Sequence, residues 1–246
     1  MTIQSANDLA SMRAVGRLVG EALREMRAAV APGMTTEQLD QVGEKLMRRR
    51  GARSAPQLTY DFPGFNCISV NDEIVHGIPG ARVLKPGDVV KIDVTAELDG
   101  YIADSAVTVI IPPVSSNAHN LAQSARAAFK RAAKVAAAHV RVAELGREVE
   151  AEVERWGHAV VHEMCGHGVG RALHENPSVP NFFSPFTHGH LADGMVIALE
   201  PIISESATPV VEDADGWTIR TANGCLAAHH EHAVLIREKG VEILTA

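Results

Sequence analysis

Cysteine is scarce in this chain: only Cys67, Cys165 and Cys225 occur. An odd, thinly spread set excludes a disulfide framework and points to a reducing compartment, hence to a cytoplasmic protein. Long apolar runs are missing too. No stretch of about eighteen apolar residues could span a membrane as a helix, and the polar stretch 1–10 lacks the apolar core of a secretion signal. Positive charge is in deficit, with 23 Lys and Arg against 30 Asp and Glu and a net charge of −7. The chain as a whole is therefore not a DNA binder by electrostatic attraction. The local exception is Arg48, Arg49, Arg50 and Arg53. This run reads as a solvated helix end, where cations suit the dipole, with a transient ribosomal contact as the alternative. No linker or low-complexity tract is visible.

Hydrophobic residues, by contrast, make up 46%, enough for a sizeable core in one large domain or two small ones. Met12, Val15, Leu18, Val19, Leu23 and Met26 recur at helical spacing and predict a helix over 6–30. Pro32-Gly33 separates it from a second helix over 35–50, opened by Thr35-Thr36-Glu37. The stretch 54–84 reads as loop-rich. Val89–Val94 and Tyr101–Ile111 flank a Leu98-Asp99-Gly100 turn, a hairpin signature. Residues 117–142 and 145–156 predict two more helices, and short strands and loops follow from 157 onward.

One internal echo carries more weight. The segment from Leu84 to Asp93 resembles that from Leu191 to Glu200, and Asp104–Val109 resembles Glu231–Ile236. Each half thus offers a strand ending in an acid, then a second strand beginning with one. Two such halves placed face to face would converge four carboxylates. If Asp99-Gly100 forms a two-residue turn, Asp93 pairs with Ala106, and Asp104 lies on the same face as Asp93. Buried together, such acids would repel and be forced to protonate unless a cation joined them. Pairing with Lys91 or Arg220 is the plain structural alternative. Twelve histidines add to the picture. His167 and His174 lie in a glycine-rich stretch, where close backbone approach is permitted. The His162-Glu163 pair fails as a zincin helix, because position 166, where the second histidine belongs, is glycine. His188 and His190 read as surface loop residues, and His162, His229 and His230 receive no role. Four carboxylates and one imidazole suit Mn²⁺, Fe²⁺ or Co²⁺ at least as well as Zn²⁺, and bridging acids favour two divalent ions about 3.5–4 Å apart.

Seven motifs now stand together: Asn71–Pro79, Lys91-Ile92-Asp93, Asp104-Ser105, Gly166–His174, Ala198-Leu199-Glu200-Pro201, Asp215–Thr218 and Glu231-His232. Over nearly its whole length the chain resembles the type I methionine aminopeptidases. That resemblance implies an α+β, pita-bread fold: two pseudo-symmetric halves, a curved antiparallel sheet and covering helices, in one catalytic domain over 1–246. It implies that Asp93 binds one ion, that Asp104 and Glu231 bridge two, and that His167 and Glu200 complete the other. The implied activity is removal of the initiator methionine from nascent polypeptide N-termini when the second residue is small. A metal-bridging hydroxide would attack the carbonyl, with Glu200 as proton shuttle. His76 and His174 would hydrogen-bond the substrate and transition state rather than metal. Cys67 and Trp217 would line the methionine pocket, with Tyr60 and Phe62 on its wall. The wording Tyr60-Asp61-Phe62-Pro63-Gly64 departs from the family's usual form, which leaves the register of that wall open.

The short span from His167 to Glu200 has no room for the helical insert of type II enzymes, and no cysteine-rich extension precedes the first helix, as in the bacterial form. A monomer is expected. Two rivals share the scaffold: a proline-directed aminopeptidase, which usually carries a large N-terminal domain, and a non-catalytic binding protein, which loses metal ligands.

Overall fold

The computed structural model describes residues 1–246. Helix α1 (Ala6–Ala29) starts where the Ser5 hydroxyl accepts from the Asp8 amide, and it buries the Met12-Val15-Leu18-Val19-Leu23-Met26 stripe. Six large side chains buried in this way contribute on the order of 10 kcal/mol gross, most of it offset by lost conformational entropy. Helix α2 (Thr36–Arg49) opens on a capping box between Thr35 and Gln38. At its end, Arg48 pairs with Glu44, Arg50 with Glu21, and Arg53 just beyond it with Glu97. Three of the four arginines in the basic run are thus engaged within the chain.

The stretch 54–84 is more regular than expected. A six-residue helix, α3 (Ala55–Tyr60), is capped by Ser54 and has Pro56 in its first turn. It is too short for a helical period to declare itself in the sequence. Helix α4 (Ser116–Val135) stops before the expected end. The alanine-rich pattern favours helix throughout, but the Ala138 amide donates to Arg237 O and the His139 amide to Leu191 O. His139 also takes a left-handed φ of 69°. These contacts outweigh local propensity, and α5 (Val142–Arg155) then begins afresh. No helix is long and apolar enough to cross a membrane.

The hairpin forms in the expected register. Strands Val89–Leu98 and Tyr101–Ile110 pair antiparallel, with Leu98 opposite Tyr101, Asp93 opposite Ala106 and Thr95 opposite Asp104. Asp99 (φ 53°) and Gly100 (φ 80°) both take the left-handed values that a two-residue turn between twisted strands requires. In the second half, Val196–Leu199 pairs with His232–Ile236, Leu199 opposite His232. Here the strands stop at the acids instead of running past them. Pro201, which has no amide to donate, follows Glu200 directly.

Helices α1 and α2 cover the first hairpin around one core, and α4 and α5 cover the second strand pair around another. The two halves are joined along Tyr101–Ile110. Ala106 and Glu231 exchange backbone hydrogen bonds of 3.3 and 2.9 Å, and Ser105 Oγ donates to Glu231 O at 2.7 Å. The His229 amide donates to Thr108 Oγ1, which in turn donates to His229 O, both at 2.9 Å. The acids converge on this seam.

Candidate metal centre

Strand pleating puts Asp93 and Asp104 on one face of the first hairpin, and the seam carries Glu231 to them. Glu200 arrives at the end of Val196–Leu199, and His167 comes from the strand Cys165–Gly168, where it pairs with Ala198. That approach needs glycine at position 166, because a Cβ there would lie 2.4 Å from Ala198 O. His167 Nε2 lies 3.3 Å from Glu200 Oε1 and 4.0 Å from Asp104 Oδ2. Ligating atoms of Asp104, His167 and Glu231 lie within 4.8 Å of one another, as do those of Glu200, His229 and Glu231. Asp104, His167, Glu200 and Glu231 therefore meet in one place, and Asp93 lines the same cavity.

The donor set fits divalent ions. Asp93 Oδ1, Glu200 Oε1 and Glu231 Oε1 are buried and have no hydrogen-bond partner. Burial pushes the carboxyls of Asp93, Glu200 and Glu231 well up from their ordinary values, and the charge of Asp104 beside them pushes further. Asp104 is also raised by burial, against the opposing effect of a 2.7 Å hydrogen bond donated by Thr95 Oγ1. The cations that could have paired these acids are occupied elsewhere. Lys91 Nζ donates to Asn71 O at 2.7 Å, while Arg220 binds Asp72, Glu73 and Asp213. A cluster of like charges without a counter-ion is strongly disfavoured, and a dication removes the conflict. Burial pushes His167 down, so the ring is neutral, and its Nδ1 lies 3.0 Å from Gly168 O. A proton held there leaves Nε2 free to ligate.

Sequence reasoning passed over His229. Its ring is 2% exposed, and Nε2 lies 3.4 Å from Glu231 Oε2 and 3.7 Å from Glu200 Oε2. Burial pushes it down to about 3. A strand reading of 227–231 would have found it, since residues two apart share a face.

The acids line a cavity of about 790 Å³, together with Cys67, His76, His174, Tyr60, Phe62 and Trp217. His76 takes a left-handed φ of 58°, a strained value of the kind that collects at functional sites. Its side chain is exposed within the cavity, where burial by the walls and the neighbouring His174 push it down. The ring of His174 lies 4.2 Å from that of His167. Cys67 pairs across the strands with Asp93, and burial pushes its thiol up. The open register at Tyr60 and Phe62 resolves into two different contacts. Phe62 meets Trp217 edge-on at 5.2 Å, whereas the Tyr60 hydroxyl lies 2.6 Å from His174 Nδ1.

Two helix-covered halves around a carboxylate-rich, histidine-flanked cavity define a metal-dependent hydrolase. The chain belongs to metallopeptidase family M24, whose model matches residues 10–238. It is 40% identical over 247 residues to "Methionine aminopeptidase 2" of Bacillus subtilis, an alignment that covers 100% of this chain and 99% of the relative. It is 38% identical to the methionine aminopeptidase of Clostridium perfringens, over 99% of this chain and 98% of that one. The crystal structure of methionine aminopeptidase from Thermotoga maritima superposes with a TM-score of 0.96 at 36% identity, covering 100% of this chain and 99% of that one. This chain is thus an aminopeptidase with the pita-bread fold. The prolidase of Pyrococcus furiosus, at 22% identity and a TM-score of 0.81, shares the fold, and this chain spans 65% of its length.

Proposed function

We propose that the whole chain, 1–246, acts in the cytoplasm as one monomeric catalytic unit. It releases the initiator methionine from nascent polypeptides whose second residue is small. The observation that carries this reading is the buried group of four carboxylates and a neutral imidazole, with no internal cation, facing a cavity lined by sulfur and aromatic side chains.

Asp93, Asp104 and Glu231 would hold one divalent ion, and Asp104, Glu231, His167 and Glu200 a second, with Mn²⁺, Fe²⁺, Co²⁺ and Zn²⁺ all compatible with the donor set. Bound divalent ions supply Lewis acidity and a water acidic enough to deprotonate near neutral pH. The residues of the chain do the rest. Glu200 takes a proton on its carboxylate and passes it to the leaving amine, a task open to a carboxylate that lines the same cavity as His76 and His174. His76 and His174 face the same space as the acids and hydrogen-bond the scissile amide, with Tyr60 orienting His174. Cys67, Phe62 and Trp217 receive the thioether, which favours sulfur and aromatic neighbours.

A Met-Ala-Ser peptide is expected to be cut, to resist cutting after chelation, and to be cut again on addition of one of these ions. Met-Lys peptides are expected to turn over far more slowly, and equal rates would remove the small-residue rule. Turnover of Xaa-Pro peptides instead would point to the proline-directed rival.

Replacing His76 by alanine is expected to lower kcat by about 10²-fold or more, the scale of a lost transition-state contact. The metal content should be unchanged, since His76 is outside the ligand set. Metal analysis beside single-turnover kinetics checks both halves of this expectation, and loss of metal would show that His76 is a ligand.

A further inference from the structure

His229 has an environment that differs from that of His167, although both rings face Glu200. It sits on the strand Ala227–His229, opposite Ile202, with its backbone locked to Thr108. The ring is buried there, 2% exposed. Neither of its nitrogens has a hydrogen-bond partner, and both are buried.

A ligating histidine ordinarily gives its second N–H to a carbonyl or carboxylate, which fixes the tautomer. His167 does so through Nδ1 and Gly168 O. Nδ1 of His229 has no such acceptor. The single proton of the neutral ring therefore belongs on Nε2, the nitrogen that faces Glu231 Oε2 at 3.4 Å and Glu200 Oε2 at 3.7 Å. A lone pair aimed at two acid oxygens would be repelled, while an N–H aimed at them is attracted. With its proton there, Nε2 has no lone pair left for an ion.

The oxygens of Glu200 then divide into two kinds. Oε2 faces His229 at 3.7 Å, whereas Oε1, buried and without a hydrogen-bond partner, lies 3.3 Å from the Nε2 of His167. Resting on the metal reading above, we infer that His229 is a positioning residue of the metal centre. Its Nε2–H, facing Oε2 of Glu231 at 3.4 Å and Oε2 of Glu200 at 3.7 Å, attracts that side of the Glu200 carboxylate and so leaves Oε1 presented to the ion. Nothing in the ligand set itself orients Glu200 in this way, because its carboxylate accepts no hydrogen bond from the protein.

The test is a Co²⁺ titration of metal-free protein, followed by visible absorption and by calorimetry, for the parent, His229→Leu, His229→Gln and His229→Asn. Leucine removes the donor. Glutamine can place an amide N–H near the Nε2 position, and asparagine is too short to reach it. Ion affinity is expected to fall about 10- to 100-fold in the leucine and asparagine variants, as for other lost partners of metal ligands. It should return most of the way in the glutamine variant, with the parent's absorption bands. Parent-like affinity in both the leucine and asparagine variants would overturn the inference. So would altered bands with no recovery in the glutamine variant, which would make His229 a ligand. If the leucine variant does not fold, the asparagine and glutamine variants decide by the same contrast. Failure of the parent itself to bind Co²⁺ would instead bring down the metal reading.

Discussion

Glu231→Ala is expected to abolish measurable turnover, a fall in kcat of about 10³-fold or more, larger than the 10- to 100-fold typical of residues that only support a ligand. Glu231 is the one acid present in both groups of converging donor atoms, so its loss weakens both ion positions together. The backbone at this position is fixed independently of the side chain, by the paired hydrogen bonds to Ala106 and by Ser105. The variant should therefore keep its fold. The metal-free protein should respond in the opposite direction to the milder Glu231→Gln change. Removing one of four crowded carboxylates relieves repulsion, so that variant is expected to melt above the metal-free parent. About 1 kcal/mol of relief would raise the melting temperature by about 2–4 °C in a chain of this size. Peptide assays, metal analysis and scanning calorimetry of the chelated proteins test both directions. Retained activity in Glu231→Ala would contradict a two-ion centre.

Chelation is expected to destabilise the protein more at pH 8 than at pH 5.5. In the metal-free fold the carboxyls of Asp93, Glu200 and Glu231 are held well above their ordinary values by burial and by one another's charge. An unfolded chain releases those protons near pH 4. Above that pH the folded state binds protons the unfolded state has lost, so stability falls as pH rises toward the raised values. This cost is absent below about pH 4 and complete above the raised values. A dication takes the place of those protons, and its affinity therefore rises over the same window. One ion present at a hundredfold excess over its Kd adds about 2.7 kcal/mol, and two ions add about twice that. The melting gap between ion-loaded and chelated protein should widen steadily from pH 5.5 to 8. A gap that is constant, or wider in acid, would show that the four carboxylates do not share a common ion site.

How much of this was legible in the sequence depended on distance along the chain. Asp93 and Asp104 could be placed on one face because an Asp-Gly turn fixes the register of its hairpin. Glu200 and Glu231 followed from the echo between the halves. The long helices declared themselves by period and cap. Features decided by contacts between remote segments did not. The end of α4 is set by Arg237 and Leu191, against the local preference of an alanine-rich segment. The contact between Tyr60 and His174 joins residues 114 positions apart, and no local pattern encodes it. His229 was hidden for another reason. Three histidines stand within four residues, 229–232, and only the strand's alternation separates the one facing the acids from its neighbours.

The seam between the halves also brings the acids of the two lobes together. Asp93 and Asp104 belong to a hairpin with its own covering helices, whereas Glu231 reaches them only when the late segment 229–231 zips onto Ala106 and Thr108. A chain whose two lobes have each condensed but not yet docked holds two acids in one lobe and two in the other, and chelates weakly with either. Ion capture is therefore a signal that docking is complete, and an ion once caught acts as a clasp across the junction.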